Sequence, residues 1–253
     1  MIDIHCHILP GLDDGAKTME ESMEMAREAV KEGIRAIIAT PHHNRSYENP
    51  KEAVIQKAAE LNSRLKEENV PISIFPGQEP AISGDILEDY QKGNILALNN
   101  THYVFIELPS GHVPRYTSQI VYDLQNFGAV PIIVHPERNQ GIIEQPDILY
   151  QLIKKGALSQ LTASSICGVF GKNIKKFSRQ LIEANLVHFI ASDAHNTHNR
   201  TFHMQKAFGE IESSYGSDFA FFFKENAELL IEGNNVNKVE PQKVKRKKLL
   251  GIF

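Results

Sequence analysis

Short apolar runs rich in Val, Ile, Leu and Ala alternate along most of the chain with longer stretches in which apolar residues recur at helical spacing. Seven such runs stand out: Ile2–His5, Arg35–Ala39, Ile72–Pro76, Tyr103–Glu107, Val130–Val134, Ser159–Thr162 and Val187–Ala191. Each is short enough for a strand and is bounded by turn-forming or polar residues. The stretches between them carry helix punctuation. Thr18-Met19-Glu20-Glu21 reads as a capping box, followed by one buried stripe of Met19, Met23, Ala26 and Val30 and a stop at Gly33. A second helix opens with Asn49 as its cap and Pro50 in its first turn. Its stripe is Val54, Ala58, Leu61 and Leu65, and Pro71 forbids continuation.

Regular strand–helix alternation favours parallel strands joined by right-handed crossovers. Seven units predict an α/β fold closed as a distorted seven-stranded (β/α)7 barrel in preference to an open sheet. The rhythm stops after about Ser217, where a last helical stretch, Phe219–Ile231, leads into polar residues and a basic end. A single domain over residues 1–235 and a basic C-terminal tail over 236–253 are therefore expected.

Composition narrows the class. At 253 residues with 42% hydrophobic and 23% charged residues, the chain can bury a sizeable core. No run approaches the roughly 18 apolar residues of a membrane span. The start, Met1-Ile2-Asp3-Ile4-His5, lacks the basic and apolar regions of a signal peptide, so a cytoplasmic protein is expected. A net charge of −4 argues against general nucleic-acid binding. Two cysteines, Cys6 and Cys167, make no disulfide framework and read as packing residues.

What stands out is where the histidines and acids fall. The strand ends carry His5 and His7, His42, Glu79, Glu107, His135, and Asp193 with His195. Asp14, in the loop Gly11-Leu12-Asp13-Asp14-Gly15, can reach the same mouth. Functional groups of parallel barrels gather at these C-terminal strand ends. Residues two apart on an extended strand face one way, so His5 with His7 and Asp193 with His195 each form a convergent pair. Paired imidazoles facing a carboxylate that can join two ions, Glu79 or Asp193, suit first-row divalent metals. A lone histidine at a loop edge is usually an ordinary surface or hydrogen-bonded residue, which leaves out His43, His102, His112, His188 and His198. No single member is strong evidence; the repetition at nearly every strand end is.

These residues carry a family resemblance. His5-x-His7, Asp13-Asp14-Gly15, Thr40-Pro41-His42, Gly77-Gln78-Glu79, His135-Pro136-Glu137-Arg138 and Ser192-Asp193-Ala194-His195 resemble, in order, the motifs of the PHP (polymerase and histidinol phosphatase) superfamily. The runs Ile4–Ile8, Ile38–His43 and Phe189–Asn196 are similar to the bacterial tyrosine-protein phosphatases encoded with capsular and exopolysaccharide genes, the CpsB-like and YwqE-like group. One departure is Pro80-Ala81-Ile82 after Glu79, where relatives often carry bulkier or basic residues. The resemblance implies a PHP-type distorted barrel and two or three divalent ions, manganese foremost. It implies one ion on His5, His7, Glu79 and Asp193, a second on Glu79, His42 and His135, and a third on Asp14, Glu107 and His195. It also implies phosphotyrosine protein substrates, chiefly a membrane-associated bacterial tyrosine kinase, and a role in regulating capsule or exopolysaccharide synthesis.

Hydrolysis of a phosphate monoester needs charge neutralisation and an activated water, both within reach of clustered divalent ions. Arg138, three residues after His135, has the planar fork that suits a phosphoryl group gathering charge. The resemblance points to Arg138 as catalytic and substrate-binding and to Arg200 as a phosphate contact. By residue type alone, arginines on polar loops are commonly surface ion-pair partners, a reading that fits Arg200 better than Arg138. Thiolate catalysis is excluded, because six residues after Cys6 stands Leu12 and six after Cys167 stands Asn173, where a cysteine phosphatase needs arginine. The rivals are a small-molecule phosphatase of histidinol phosphatase type, a phosphodiesterase, and a non-catalytic metal-binding adaptor. Amidohydrolases also open with His-x-His but usually have eight strands and a lysine where this chain has Glu107. The end of the chain, Lys243–Lys248 followed by Leu249-Leu250-Gly251-Ile252-Phe253, reads as a solvated tail or as a weak contact with an anionic membrane.

Overall fold

The computed structural model describes residues 1–245. All seven expected strands form, with ends shifted by at most two residues. They are β1 (Ile2–Cys6), β2 (Ala36–Ala39), β4 (Ser73–Pro76), β6 (Tyr103–Ile106), β7 (Val130–Val134), β8 (Leu158–Thr162) and β9 (Phe189–Ala191). Two further strands of two residues each, β3 (His42–His43) and β5 (Glu79–Pro80), lie just beyond β2 and β4. The helices are α1 (Met19–Lys31), α2 (Lys51–Glu67), α3 (Ile86–Gln91), α4 (Thr117–Asn126), α5 (Gln140–Glu144), α6 (Asp147–Lys154), α7 (Ala163–Ile166), α8 (Lys172–Glu183), α9 (Met204–Tyr215) and α10 (Ser217–Ile231).

Every ladder is parallel. β1-β2-β4 form one sheet, β3-β5 a second and β6-β7-β8-β9 a third. The seams between them are stitched. Cys6 bridges Ala194, with the His7 amide donating to the Ala194 carbonyl at 2.9 Å and the Asp193 amide to the His5 carbonyl at 2.9 Å. At the other seam Ala81 bridges Glu107, whose amide donates to the Pro80 carbonyl at 2.9 Å. β1, β2 and β8 are buried along their whole length, as strands covered on both faces must be.

Apolar side chains divide into two layers. An inner cluster gathers Ile4, Ile38, Phe105, Ile132, Leu158 and Phe189 from successive strands. A larger outer layer packs helices onto the strands' other faces, including the α1 and α2 stripes at Met23, Ala26, Val54, Ala58, Leu61 and Leu65. Helix α10 inserts Ala227 and Leu230 into the inner cluster. Asn226 on α10 donates to the carbonyl of His188, just before β9, at 3.1 Å. Chain beyond α10 crosses the same end: the Tyr103 hydroxyl donates to the Asn234 carbonyl at 2.7 Å and accepts from the Val236 amide at 3.2 Å. The N-terminal strand ends are thus sealed, which leaves the C-terminal ends as the open mouth.

Local details differ from the sequence reading where a side chain found a better partner. Thr18 does cap α1, accepting from the Glu21 amide at 3.2 Å, but Glu21 reaches back to the Lys17 amide and not to that of Thr18. Asn49 does not cap α2; its amide donates to the carbonyls of Leu12 and His42 at 3.0 and 2.7 Å. The chain from 234 to 243 spans the expected domain limit and is held down, with Asn237 paired to Asn226 and the Gln242 amide donating to Ala184. Of the expected basic run, Arg246, Lys247 and Lys248 lie outside the described residues, as do residues 249–253. Among the described residues no helix is long and apolar enough to cross a membrane.

Candidate metal centre

All nine expected ligands converge at the open mouth. Glu79, at the start of β5 and fully buried, sits at the middle. Its Oε1 lies 3.4 Å from His5 Nε2 and 2.9 Å from His135 Nε2. Its Oε2 lies 3.4 Å from His7 Nε2 and 2.8 Å from His42 Nδ1. Four imidazoles from three chain segments therefore face one carboxylate. Asp193 Oδ1 stands 3.6 Å from His5 Nε2 and 3.4 Å from His7 Nε2. Asp14 Oδ1 stands 3.3 Å from His195 Nε2 and 3.4 Å from His42 Nε2.

Three sets of ligand atoms lie within 4.8 Å of one another: His5, His7 and Asp193; His42, Glu79 and Glu107; and His7, Asp14, His42 and His195. The partition differs from that implied by the resemblance: Glu79 is not grouped with His5, His7 and Asp193, His7 and His42 join Asp14 and His195, Glu107 joins His42 and Glu79, and His135 falls in none of the three sets, although its Nε2 lies 2.9 Å from Glu79 Oε1. Glu107 lies beside His42, 3.6 Å from its Nδ1, and not with Asp14 and His195. The cause is the seam: the Ala81–Glu107 bridge fixes Glu107 next to the strand that carries Glu79.

Buried partners set how the rings point. His7 Nδ1 donates to Asp13 Oδ2 at 2.7 Å, His5 Nδ1 to Gln160 Oε1 at 2.9 Å, and His195 Nδ1 to the Asp193 carbonyl at 3.0 Å. Each Nε2 is then left with its lone pair toward the mouth. Yet the Nε2 atoms of His5 and His7 are 3.3 Å apart, and that of His195 is buried without a hydrogen-bond partner, facing a carboxylate oxygen. Lone pair against lone pair is repulsive unless a cation lies between. Histidine ligands whose second nitrogen is held by a carboxylate, amide or carbonyl are the ordinary arrangement of a metal site. The donor set, imidazole nitrogen with carboxylate oxygen, suits first-row divalent ions.

Electrostatics agree. Burial opposes ionisation of Glu79 and Asp193, but the surrounding imidazoles, and for Asp193 also Arg138, hold both carboxyls well below their usual range. Burial likewise opposes a charged His7, yet Asp13, Asp193 and Glu79 raise it well above the ordinary imidazole value. The cluster draws positive charge into itself, as protons or as metal.

Two residues at the mouth store backbone strain. His135 and Asp193 adopt left-handed φ values of 35° and 53°, uncommon for residues with a Cβ. In both cases the twist turns a strand-end side chain inward. Gly15 is needed for a different reason: a Cβ there would lie 2.0 Å from the His7 carbonyl oxygen. Only glycine lets the Asp13–Asp14 loop fold this tightly over β1.

Arg138 and Arg200 both reach the cluster. Arg138 Nη2 donates to Asp193 Oδ2, and its guanidinium lies over the Phe170 ring at 5.1 Å. Arg200 Nη1 donates to Asp14 Oδ2 at 3.1 Å, with Nη2 3.5 Å from Asp193 Oδ1. Its partners, exposed Asp14 and buried Asp193, are thus both expected ligands. A cavity of about 420 Å³ opens here, lined by both arginines, His42 and His135 together with Ile82, Leu108 and Pro109.

Sequence reasoning missed the residues that hold the ligands in place. Asp13 bonds His7 and also accepts from the amides of Gly15 and His42, at 2.9 and 3.0 Å. Gln78 accepts from the Leu96 amide and donates to the Asn49 carbonyl, both at 2.6 Å. Buried Glu137 accepts from the Thr162 amide at 3.0 Å and the Ser165 hydroxyl at 2.6 Å. The signal was adjacency: Asp13, Gln78 and Glu137 all lie inside the motifs that supply ligands. Gln160 carries no such signal: it lies between Ser159 and Leu161 in β8, outside every ligand motif. Of the histidines set aside, His188 is a core residue that accepts from the Ser159 amide, and His102 stacks on Tyr103. His112 and His198 are exposed.

Comparison with known proteins bears on the same residues. The model of a family described as capsular polysaccharide synthesis, CpsB/CapC, matches residues 1–232. The chain is 52% identical over 254 residues to the tyrosine-protein phosphatase YwqE of Bacillus subtilis (strain 168), covering all of both chains. It is 32% identical over 223 residues to the tyrosine-protein phosphatase CpsB of Streptococcus pneumoniae, covering 86% of this chain and 92% of the relative. A crystal structure from work on YwqE from B. subtilis and CpsB from S. pneumoniae, described as metal-dependent tyrosine phosphatases, superimposes with a TM-score of 0.96 at 52% identity. It covers 97% of this chain and 100% of the other.

Proposed function

The chain belongs to the capsular polysaccharide synthesis CpsB/CapC family, and from that premise we propose that it is a metal-dependent protein-tyrosine phosphatase acting in capsule or exopolysaccharide synthesis. The observation that carries this is the set of buried imidazole and carboxylate groups around Glu79, whose lone pairs oppose one another without a cation, beside two arginines in an open cavity.

His5, His7, Asp14, His42, Glu79, Glu107, His135, Asp193 and His195 would hold two or three divalent ions, manganese foremost. When bound, such ions neutralise phosphoryl oxygens as Lewis acids and lower the pKa of water toward neutrality. The chain's own groups do the rest. Arg138, fixed by Asp193 and by the Phe170 ring, presents a guanidinium whose fork matches the equatorial oxygens of a transferring phosphoryl group. Arg200 offers a second fork in the same cavity. Ile82, Leu108 and Pro109 give the phenyl ring of phosphotyrosine an apolar wall, which an imidazole or alkyl substrate would use less well. A phenol leaves with a pKa of about 10, so expulsion does not require a strong general acid.

The same reading takes the seven longer strands as one closed, distorted barrel, supported by the Cys6–Ala194 and Ala81–Glu107 bridges across its seams. It places the protein in the cytoplasm, acting on phosphotyrosine of a membrane-associated tyrosine kinase, with the basic C-terminal run available for weak contact with that surface. The test is turnover of a phosphotyrosine peptide, histidinol phosphate and a phosphodiester, each with manganese and after chelation. Preference for the phosphotyrosine peptide, abolished by chelation and restored by manganese, is expected. Preference for histidinol phosphate or the diester would replace this reading.

A further inference from the structure

A groove of about 930 Å³ runs between α8 and the last described residues, apart from the metal centre. Lys172, Lys175, Lys176 and Arg179 line it from α8, and Lys243 and Lys245 from the C-terminal segment. Among the described lining residues Glu183 is the acid set against these six cations, leaving five positive charges net on a chain whose total is −4. Lys175 and Arg179 share Glu210, and Lys243 meets Asp147 at 3.2 Å. Lys172, Lys176 and Lys245 have no ionic partner among the described residues.

Helix stability does not account for this pattern. A helix favours acids in its first turn and cations in its last. On α8 the lysines crowd the N-terminal half, no acid stands in the first turn, and Glu183 closes the helix. Both ends run against the dipole, and like charges at 172 and 176 repel at i, i+4. Such a surface is at its lowest energy with external negative charge upon it.

The helix that lines the groove also lies beside the catalytic mouth. Phe170, whose ring lies under Arg138, is two residues before Lys172, and α8 packs against the turn Pro136–Arg138. We infer that this groove docks an acidic segment of a polypeptide substrate, holding it while a phosphotyrosine of the same chain enters the metal centre. Concavity favours an extended peptide over a lipid surface, which needs a flat or convex face. The link to turnover rests on the phosphatase reading; the docking itself does not.

The test uses the full chain with metal and the triple variant Lys172→Glu, Lys176→Glu, Lys245→Glu, none of which touches the metal centre. Substrates are a phosphotyrosine peptide flanked by glutamates, the same peptide flanked by glutamines, and p-nitrophenyl phosphate. KM for the glutamate peptide is expected to rise about tenfold in the variant, with kcat little changed. The wild-type preference for that peptide should shrink as salt rises. Turnover of p-nitrophenyl phosphate should be unaltered, which also reports that the variant is folded. Equal KM changes for the two peptides, or none, would overturn the inference. So would loss of binding to phosphatidylglycerol vesicles with peptide kinetics intact, which would assign the groove to a lipid surface. Should neither form turn over any phosphate ester, the phosphatase reading fails. Fluorescence anisotropy of a labelled glutamate-rich peptide still decides the groove, by weaker binding to the variant or by no difference.

Discussion

Replacing Asp13 by Asn tests how far the centre depends on a residue that holds ligands without being counted among them. Its carboxylate receives three hydrogen bonds: from His7 Nδ1 at 2.7 Å, the Gly15 amide at 2.9 Å and the His42 amide at 3.0 Å. Despite burial, these neighbours hold its carboxyl at about 2, so it is ionised at any working pH and can only accept. An asparagine has one accepting oxygen and an NH2 group. If the oxygen stays with Gly15, the NH2 group faces His7 Nδ1 and the His42 amide. His7 must then accept at Nδ1 and carry its proton on Nε2, the atom that faces Glu79 and Asp193. If the amide flips, Gly15 loses its acceptor and the loop carrying Asp14 loosens. Either way a ligand is misdirected and none is removed. Loss of such an orienting partner typically costs about 10–100-fold in metal affinity, or about 1.4–2.7 kcal/mol. The assay is competition for manganese against a fluorescent chelator, beside activity on a phosphotyrosine peptide as a function of manganese. Half-maximal activation should move to about 10–100-fold higher manganese, with activity largely recovered at saturation. Activation within twofold of wild type, in a variant of unchanged thermal stability, would refute the argument that Asp13 fixes the His7 tautomer.

Other outcomes follow from the same geometry. Arg138→Ala should lower kcat by about 10²–10³-fold with bound metal unchanged by elemental analysis; undiminished kcat would remove its role at the phosphoryl group. Gly15→Ala places a methyl group 2.0 Å from the His7 carbonyl, so melting temperature and metal content should fall together, and a variant with normal values for both would show that the loop can yield. His188, pushed down to about 3 chiefly by burial and then by Lys238, binds no proton in the folded state between pH 6.5 and 3, while the unfolded chain does. Stability from this group is therefore complete above pH 6.5 and is lost as pH falls, by about 1.4 kcal/mol per unit. His188→Gln should flatten the melting-temperature profile between pH 6 and 4 relative to wild type; parallel profiles would contradict this.

Strands and ligands were legible for the same reason. Strands buried on both faces tend to be continuous apolar runs, so a histidine or acid at the end of one is conspicuous. Hence β2, β6 and β7 were readable, and so was the convergence of His5, Glu79 and His195. Two-residue strands such as β3 and β5 leave no hydrophobic period. The Ala81–Glu107 seam they create, which sets Glu107 beside His42, could not be read along one dimension. Asn49 looked like a helix cap because local sequence cannot reveal that the carbonyls of Leu12 and His42 compete for its amide. The same holds for Arg200: the resemblance pointed to it as a phosphate contact, but residue type alone could not show that Asp14 and Asp193 lie within its reach. The groove along α8 lacked any motif; only packing of the C-terminal segment against that helix brings its cations together.

Opposed lone pairs around Glu79 call for divalent ions, and phosphotyrosine hydrolysis by this chain depends on them. Elemental analysis of protein purified with manganese, on the same sample assayed with a phosphotyrosine peptide before and after chelation, tests it most directly. Two or three ions per chain are expected, with activity lost on their removal and regained with manganese, and metal content cut by Glu79→Gln. Full activity in a metal-free sample, or two to three bound ions without phosphotyrosine hydrolysis, would contradict it.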